Sequence, residues 1–173
     1  LGEITDGPVN LAINPNNNED LSNAWSEKVA AVKGANCDEV WVLSFVQNTF
    51  YSYKLDLSGV DVAGVVTSVV DFTASDKRGY LQVSPNGAKI AFADYNSSGN
   101  DINGSLILFD FDSSSGSVNQ NSSQVLIPRF SGQSPFGVAF SQQSNKLYTS
   151  SYNGDFTVFQ FDLENSDISS SRT

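Results

Sequence analysis

A strand–turn–strand pattern recurs three times along these 173 residues, and it constrains the fold more than any other feature. Val83-Ser84-Pro85-Asn86-Gly87-Ala88-Lys89-Ile90-Ala91-Phe92 reads as strand, turn, strand: Pro fixes φ, Asn tolerates the left-handed region and Gly enters it freely. Phe140 to Thr149 repeats the pattern with Gln142-Gln143-Ser144 in the turn, and Val32 to Val42 is a degenerate third copy. A second strand ending in Asp follows each copy, at Phe50 to Asp56, Leu106 to Asp112 and Phe156 to Asp162. Val40, Ile90 and Leu147 are equivalent positions in the three copies, and so are the three Asp residues. Either series gives a unit slightly longer than the roughly 40 to 50 residues usual for four-stranded repeats, with the excess in loops. Units repeated at such a period bury a continuous core only by stacking on their neighbours.

The strands within each unit are apolar at nearly every position. Val40-Trp41-Val42-Leu43-Ser44-Phe45-Val46 and Ser105-Leu106-Ile107-Leu108-Phe109 must therefore bury both faces. A β-propeller meets that need without helices, because each four-stranded blade is packed on both sides. A parallel α/β sheet needs crossover helices. The one helix-like stretch is Leu21 to Val32, and its end, Lys28 to Val32, reads equally well as an inner strand. The expected fold is all-β: a partial β-propeller of about three four-stranded antiparallel blades, a fragment of a larger, seven-bladed ring. The blades fall at 25–75, 76–130 and 131–163, with 1–24 coming from a preceding blade or loop and 164–173 forming a polar tail. The Asn-, Ser- and Gly-rich segments Asn14–Asp20, Asn96–Gly104, Ser113–Ser123 and Ser166–Thr173 read as exposed loops and tail.

Composition removes several functions. Nine Lys and Arg against nineteen Asp and Glu give a net charge of −10, with no basic cluster to release counterions from phosphates, so nucleic acid and anionic membrane surfaces are disfavoured. No apolar run approaches the roughly 18 to 20 residues of a spanning helix, so no membrane insertion is expected. Histidine is absent, which removes Ser-His-Asp and Cys-His nucleophiles and His-ligated metals. The single Cys37 excludes an intramolecular disulfide, and with only Lys33 nearby it reads as an inert thiol. Leu1 in place of an initiator methionine, in a chain without Met, points to a sequence that begins inside a longer precursor.

Carboxylates are the remaining catalytic material. Asp110 and Asp112 alternate on one strand, about 7 Å apart by strand rise, a spacing found between the two acids of inverting glycosidases. Asp56 and Asp162 recur at the same place, however, and a catalytic pair has no need to recur in every unit, so these residues read as turn caps. Asp71, Asp76, Asp94, Asp101 and Asp112 are loop oxygens of the kind calcium takes, but no Asp-x-Asp-x-Asp-Gly loop holds them. No catalytic, cofactor-binding or metal-binding residue is assigned. Asn96, Asn103 and Asn121 open Asn-x-Ser acceptor sequences, and Tyr95, Tyr152 and Phe130 are aromatics suited to stacking on a sugar or a protein.

Gly79-Tyr80-Leu81-Gln82-Val83-Ser84-Pro85-Asn86-Gly87-Ala88-Lys89-Ile90-Ala91-Phe92-Ala93 resembles the core of the WD40-like propeller repeat, and Phe136 to Ser141 with Lys146-Leu147-Tyr148 is similar to the next blade. The ordered series over residues 25–163 resembles the N-terminal propeller of large Bacteroidota surface proteins, a group that includes type IX-secreted, gliding-motility-associated adhesins. The resemblance implies a secreted or cell-surface location and a non-enzymatic role, binding a protein or glycan partner in adhesion or surface assembly. The alternative is part of a propeller enzyme, a polysaccharide lyase or glycosidase, with its active site outside this chain. Three blades leave two terminal faces bare, so further blades or subunits are expected to complete the fold.

Overall fold

The structure, a computed structural model, describes residue 11 and residues 19–98 and 101–173. It is all-β, with three antiparallel sheets that do not close into a barrel. The first sheet contains β1 (Trp25–Lys33), β2 (Val40–Val46), β3 (Thr49–Asp56) and β4 (Gly59–Val69), paired in chain order. The second pairs β5 (Leu81–Val83), β6 (Lys89–Asp94), β9 (Ser105–Asp112) and β10 (Ser117–Ile127). Between β6 and β9 a small ladder is formed by β7 (Ser97–Ser98) and β8 (Asp101–Ile102). The third sheet is β11 (Ser134–Phe140), β12 (Lys146–Tyr152) and β13 (Phe156–Asp162).

The three copies of the repeat share one turn geometry. Ser84 N donates to Lys89 O at 2.8 Å, Ser141 N to Lys146 O at 2.9 Å and Gly34 N to Glu39 O at 2.8 Å. In the first two the serine hydroxyl closes the loop, accepting from Lys89 N at 2.9 Å and Lys146 N at 3.0 Å. Gly87 (φ 71°) and Ser144 (φ 60°) occupy the same left-handed position, so the turn survives without its glycine at the cost of a strained serine.

Period-two alternation divides the second sheet between two cores. Ile90, Phe92, Ile107, Phe109 and Phe111 pack on Trp41, Leu43, Phe45 and Phe50 of the first sheet. Ala91, Ala93, Leu106 and Leu108, one residue out of step, pack on Val138, Leu147 and Phe161 of the third. Phe45, Phe50, Phe92 and Phe109 meet edge-on with centroids 4.7 to 6.1 Å apart. Trp41 Nε1 donates to Ser113 O at 2.8 Å and so fastens the first sheet to the β9–β10 turn.

Several details differ from the sequence reading: the third sheet has three strands where a four-stranded blade is expected, and the segment Asn96–Gly104, read as a loop, carries the β7–β8 ladder. Of the two readings left open for Leu21–Val32, the strand is found, since β1 begins at Trp25 after a turn and pairs with β2. Much of Ser113–Ser123 is strand, since β10 is an outer strand whose exposed side needs no apolar residues. Residues 164–173 dock rather than hang free: Ile168 is buried in the second core, and Gln160 and Thr173 exchange backbone bonds of 3.0 and 3.1 Å along the edge of β13. One apolar residue and an unpaired strand edge are enough to hold an otherwise polar segment. Finally, the outer face of the first sheet is covered in part: Leu21, Ala24 and Trp25 cover Val46, Tyr51 and Tyr53, and Tyr53 donates its hydroxyl to Leu11 O at 2.8 Å, while Val29, Leu55 and Val60 on the same face stay exposed. The expected origin of 1–24 in a preceding blade or loop, and the loop Asn14–Asp20, fall largely outside the described residues.

Candidate functional site

The recurrent Asp residues fold their own turns. Asp56 accepts from Ser58 N at 2.7 Å, Asp112 from Ser114 N at 2.9 Å and Asp162 from Glu164 N at 3.1 Å, the same Asx turn three times. The Ser114 and Ser115 hydroxyls also donate to Asp112, at 2.6 and 2.7 Å, and hold its carboxyl down at about 2. Asp110 is taken by Lys89 Nζ at 2.5 Å. The pair is thus split between two partners, and Asp112 is shifted away from what a general acid requires.

The acidic loop residues are likewise committed elsewhere. Asp94, fully buried, accepts from Ser75 N at 3.0 Å, Ser75 Oγ at 2.6 Å and Arg129 Nη2 at 2.8 Å. Asp76 is gripped by Arg78, through Nε at 3.0 Å and Nη2 at 2.6 Å, and this grip holds its carboxyl near 2. No three of His, Cys, Asp and Glu converge among the described residues. The side chain of Asp101 lies outside them.

Around Asp94 stand two cations that sequence reasoning did not single out. Lys28 is fully buried on β1, donating Nζ to Lys77 O at 3.3 Å and to Arg78 O, 5.0 Å from the Phe92 ring. Burial pushes its ammonium down to about 8, against the opposing pull of Asp94 and Asp76. Arg129 lies over Phe72 at 4.9 Å and also donates to Thr73 O. Both cations bind carbonyls of the 70–80 connection and pin it between the first two sheets. The available signals were a lysine inside the apolar run Lys28 to Val32 and an aspartate ending the apolar β6.

Two of the three singled-out aromatics come together. Tyr95 and Tyr152 line a concavity of about 340 Å³ with Arg78, Phe136, Ser150, Ser151 and Phe156. Tyr95 meets Phe136 edge-on at 5.3 Å, Tyr80 lies 5.5 Å from Phe136, and Tyr152 lies 5.4 Å from Phe156. Arg78 stacks on Tyr95 at 5.0 Å. Phe130 is exposed but does not line this concavity. A second hollow continues over the outer face of the third sheet across Tyr80, Tyr148 and Val158.

Apart from the hydroxyls of Tyr95, Tyr148 and Tyr152, the wall offers rings and methyl groups rather than hydrogen bonds. Ser150 Oγ already accepts from Gly137 N at 3.0 Å, Ser151 Oγ accepts from Ser134 N at 3.1 Å and donates to Gln133, and Arg78 is spent on Asp76. Phe136, Tyr148, Tyr152, Phe156 and Val158 form an uncharged patch on a chain of net charge −10. Apolar patches of this kind, rimmed by polar residues, mark interaction surfaces. Elsewhere, Cys37 is exposed in the β1–β2 turn and Asn121 is exposed on β10. No helix among the described residues is long and apolar enough to cross a membrane. No protein-family model matches the chain, and no curated protein matches it.

Proposed function

We propose that this chain is a non-enzymatic binding and structural module, a partial β-propeller of a secreted or cell-surface bacterial protein, whose aromatic face on the third sheet takes up a protein partner in adhesion or surface assembly. The observation that carries the reading is the uncharged wall of Phe136, Tyr148, Tyr152, Phe156 and Val158, left open where both neighbouring sheet interfaces are closed. A protein is preferred to a glycan because sugar hydroxyls need polar partners in number, and the Ser150 and Ser151 hydroxyls beside this wall already hold backbone N–H groups, which leaves the Tyr148 and Tyr152 hydroxyls to serve a whole sugar ring. Three features support the propeller architecture: strands paired in chain order, sheets stacked face to face, and first strands that touch from sheet to sheet, β1 with β5 and β5 with β11. The WD40-like and type IX-secreted resemblance of the sequence points the same way.

Retention of the purified protein on intact surface proteins and on surface polysaccharides tests this, with Phe136→Ala/Phe156→Ser/Val158→Ser for comparison. All three residues are exposed, so their loss leaves the cores intact. The expected result is retention by surface protein that falls at least tenfold in the variant. Equal retention of both proteins, or turnover of a polysaccharide by the whole protein, would sink the proposal.

A further inference from the structure

We infer that the open face of the third sheet is the docking site for a fourth antiparallel sheet, supplied by a protein partner and carrying the same alternation of large apolar residues as the sheets already present. This deepens the binding reading above and rests on it.

The two interfaces within the chain are built alike. In each, a sheet offers one set of alternate residues to the next sheet, which receives them on the opposite set of its own. The first sheet offers Trp41, Leu43 and Phe50; the second offers Ala91, Ala93 and Leu106. The second receives with Ile90, Phe109 and Phe111, and the third with Leu147, Phe159 and Phe161. These sets superpose when the chain is shifted by the spacings that define the repeat, Val40 to Ile90 to Leu147 and Asp56 to Asp112 to Asp162. Carrying the offering set forward once more lands on Tyr148, Ser150 and Phe156, with Val158 at the place of Leu108. Leu106 and Leu108 are 0% and 1% exposed, whereas Phe156 and Val158 are 88% and 68% exposed. Among the described residues, nothing is received on the offering face of the third sheet.

The occupant follows from what covers the equivalent faces. A sheet presents side chains at a two-residue period, the spacing at which Phe156 and Val158 stand on β13, and it lies flat across β11, β12 and β13 together. A saccharide would set most of its hydroxyls against rings and methyl groups, with the Tyr148 and Tyr152 hydroxyls as partners for the rest. A second copy of this chain is a poorer cover: the receiving faces of its second and third sheets are filled, and on its first sheet Tyr51 and Tyr53 are already covered by Leu21 and Trp25, which leaves Val29 and Leu55 open. Each copy also carries a charge of −10.

Hydroxyl-radical footprinting of the protein recovered in its native assembly tests the inference without a variant. Phe130, 82% exposed and away from the face, is a reference of the same residue type for Phe156. The expected result is modification of Phe156 at least tenfold slower than that of Phe130. A photo-cross-linking amino acid at Val158 then identifies the cover, and the expected product joins it to a strand with apolar residues at alternate positions. Equal reactivity of Phe156 and Phe130 overturns the inference. So does a cross-link to a saccharide, a helix or another copy of residues 1–173. Surface binding retained alongside a reactive Phe156 sinks the fourth sheet alone; a reactive Phe156 with no surface binding removes the module reading as well.

Discussion

Lys28 makes the stability of this protein depend on pH in a direction opposite to that of most lysines. Its ammonium is buried on β1 beneath the 70–80 connection, and burial lowers its pKa from 10.5 to about 8. Below pH 8 it is protonated in both folded and unfolded states and contributes no slope. Between pH 8 and 10.5 the unfolded chain holds the proton that the folded chain has released, so stability rises with pH. At 1.36 kcal/mol per pH unit the full gain is about 3 kcal/mol, of which about 2 kcal/mol is present by pH 9.5. Tyr53 sets the upper limit of the window: burial raises its hydroxyl to about 12, so above pH 10 the folded state holds the extra proton and stability falls again. Urea unfolding followed by Trp fluorescence at pH 7.0 and 9.5 measures the difference, with Trp41 buried at the sheet interface as reporter. Lys28→Met is the control. It strips hydrogen bonds from Lys77 O and Arg78 O, so its absolute stability is no guide, but its slope with pH is. Between the two pH values the wild-type protein should gain about 2 kcal/mol more than Lys28→Met, the share of the linkage that the variant lacks. Parallel curves, or a wild-type loss, would refute the burial of a titrating ammonium at this place.

Further outcomes can be read by denaturant midpoint. Gly116→Ala should cost about 2–4 kcal/mol, because φ is +75° and the new Cβ would stand 2.7 Å from the Trp41 ring. Gly132→Ala, at φ +71° with nothing within 4 Å, should cost only about 1 kcal/mol, and equal losses would show that Trp41 does not press on the turn. Asp94→Ala should lose about 3–5 kcal/mol by leaving Arg129 and the Ser75 donors without their buried carboxylate. A loss as small as that of an exposed Asp substitution, under about 1 kcal/mol, would contradict its burial. Leu108→Ala should cost about 2–5 kcal/mol, while Val158→Ala, at the same place in the repeat, should cost under about 1 kcal/mol where its face is uncovered.

Much of this arrangement was legible in the sequence because it is local. The turns at Ser84 and Ser141 are written in Pro-Asn-Gly and its polar substitute, and the bonds made by the serine N, O and, as acceptor from the lysine N, Oγ coincide in the two. The Asp that ends each second strand caps its turn as its recurrence implied. The runs Val40–Val46 and Ser105–Phe109, apolar at nearly every position, announced burial on both sides. Less legible was the C-terminal segment, where one residue, Ile168, outweighs its polar neighbours by reaching a core whose other members, Leu106 and Leu108 among them, lie far upstream in the chain. Of the candidate aromatics, Tyr95 and Tyr152 joined one site while Phe130 did not, a distinction no local pattern carries.

The sequence by itself determined which residues turn, which extend, and that the extended ones need cover on both faces, since turn chemistry and period-two alternation act over a few residues. Only the tertiary structure decided which faces meet. Stacking of sheets is a contest between surfaces distant along the chain, settled by which apolar set finds a complement. It placed Leu106 and Leu108 against a neighbour and left Phe156 and Val158, their equivalents in the repeat, facing solvent. It also buried Lys28 and Asp94 and brought the partly exposed Arg129 onto Asp94, because a charge leaves water only where the fold supplies its partners.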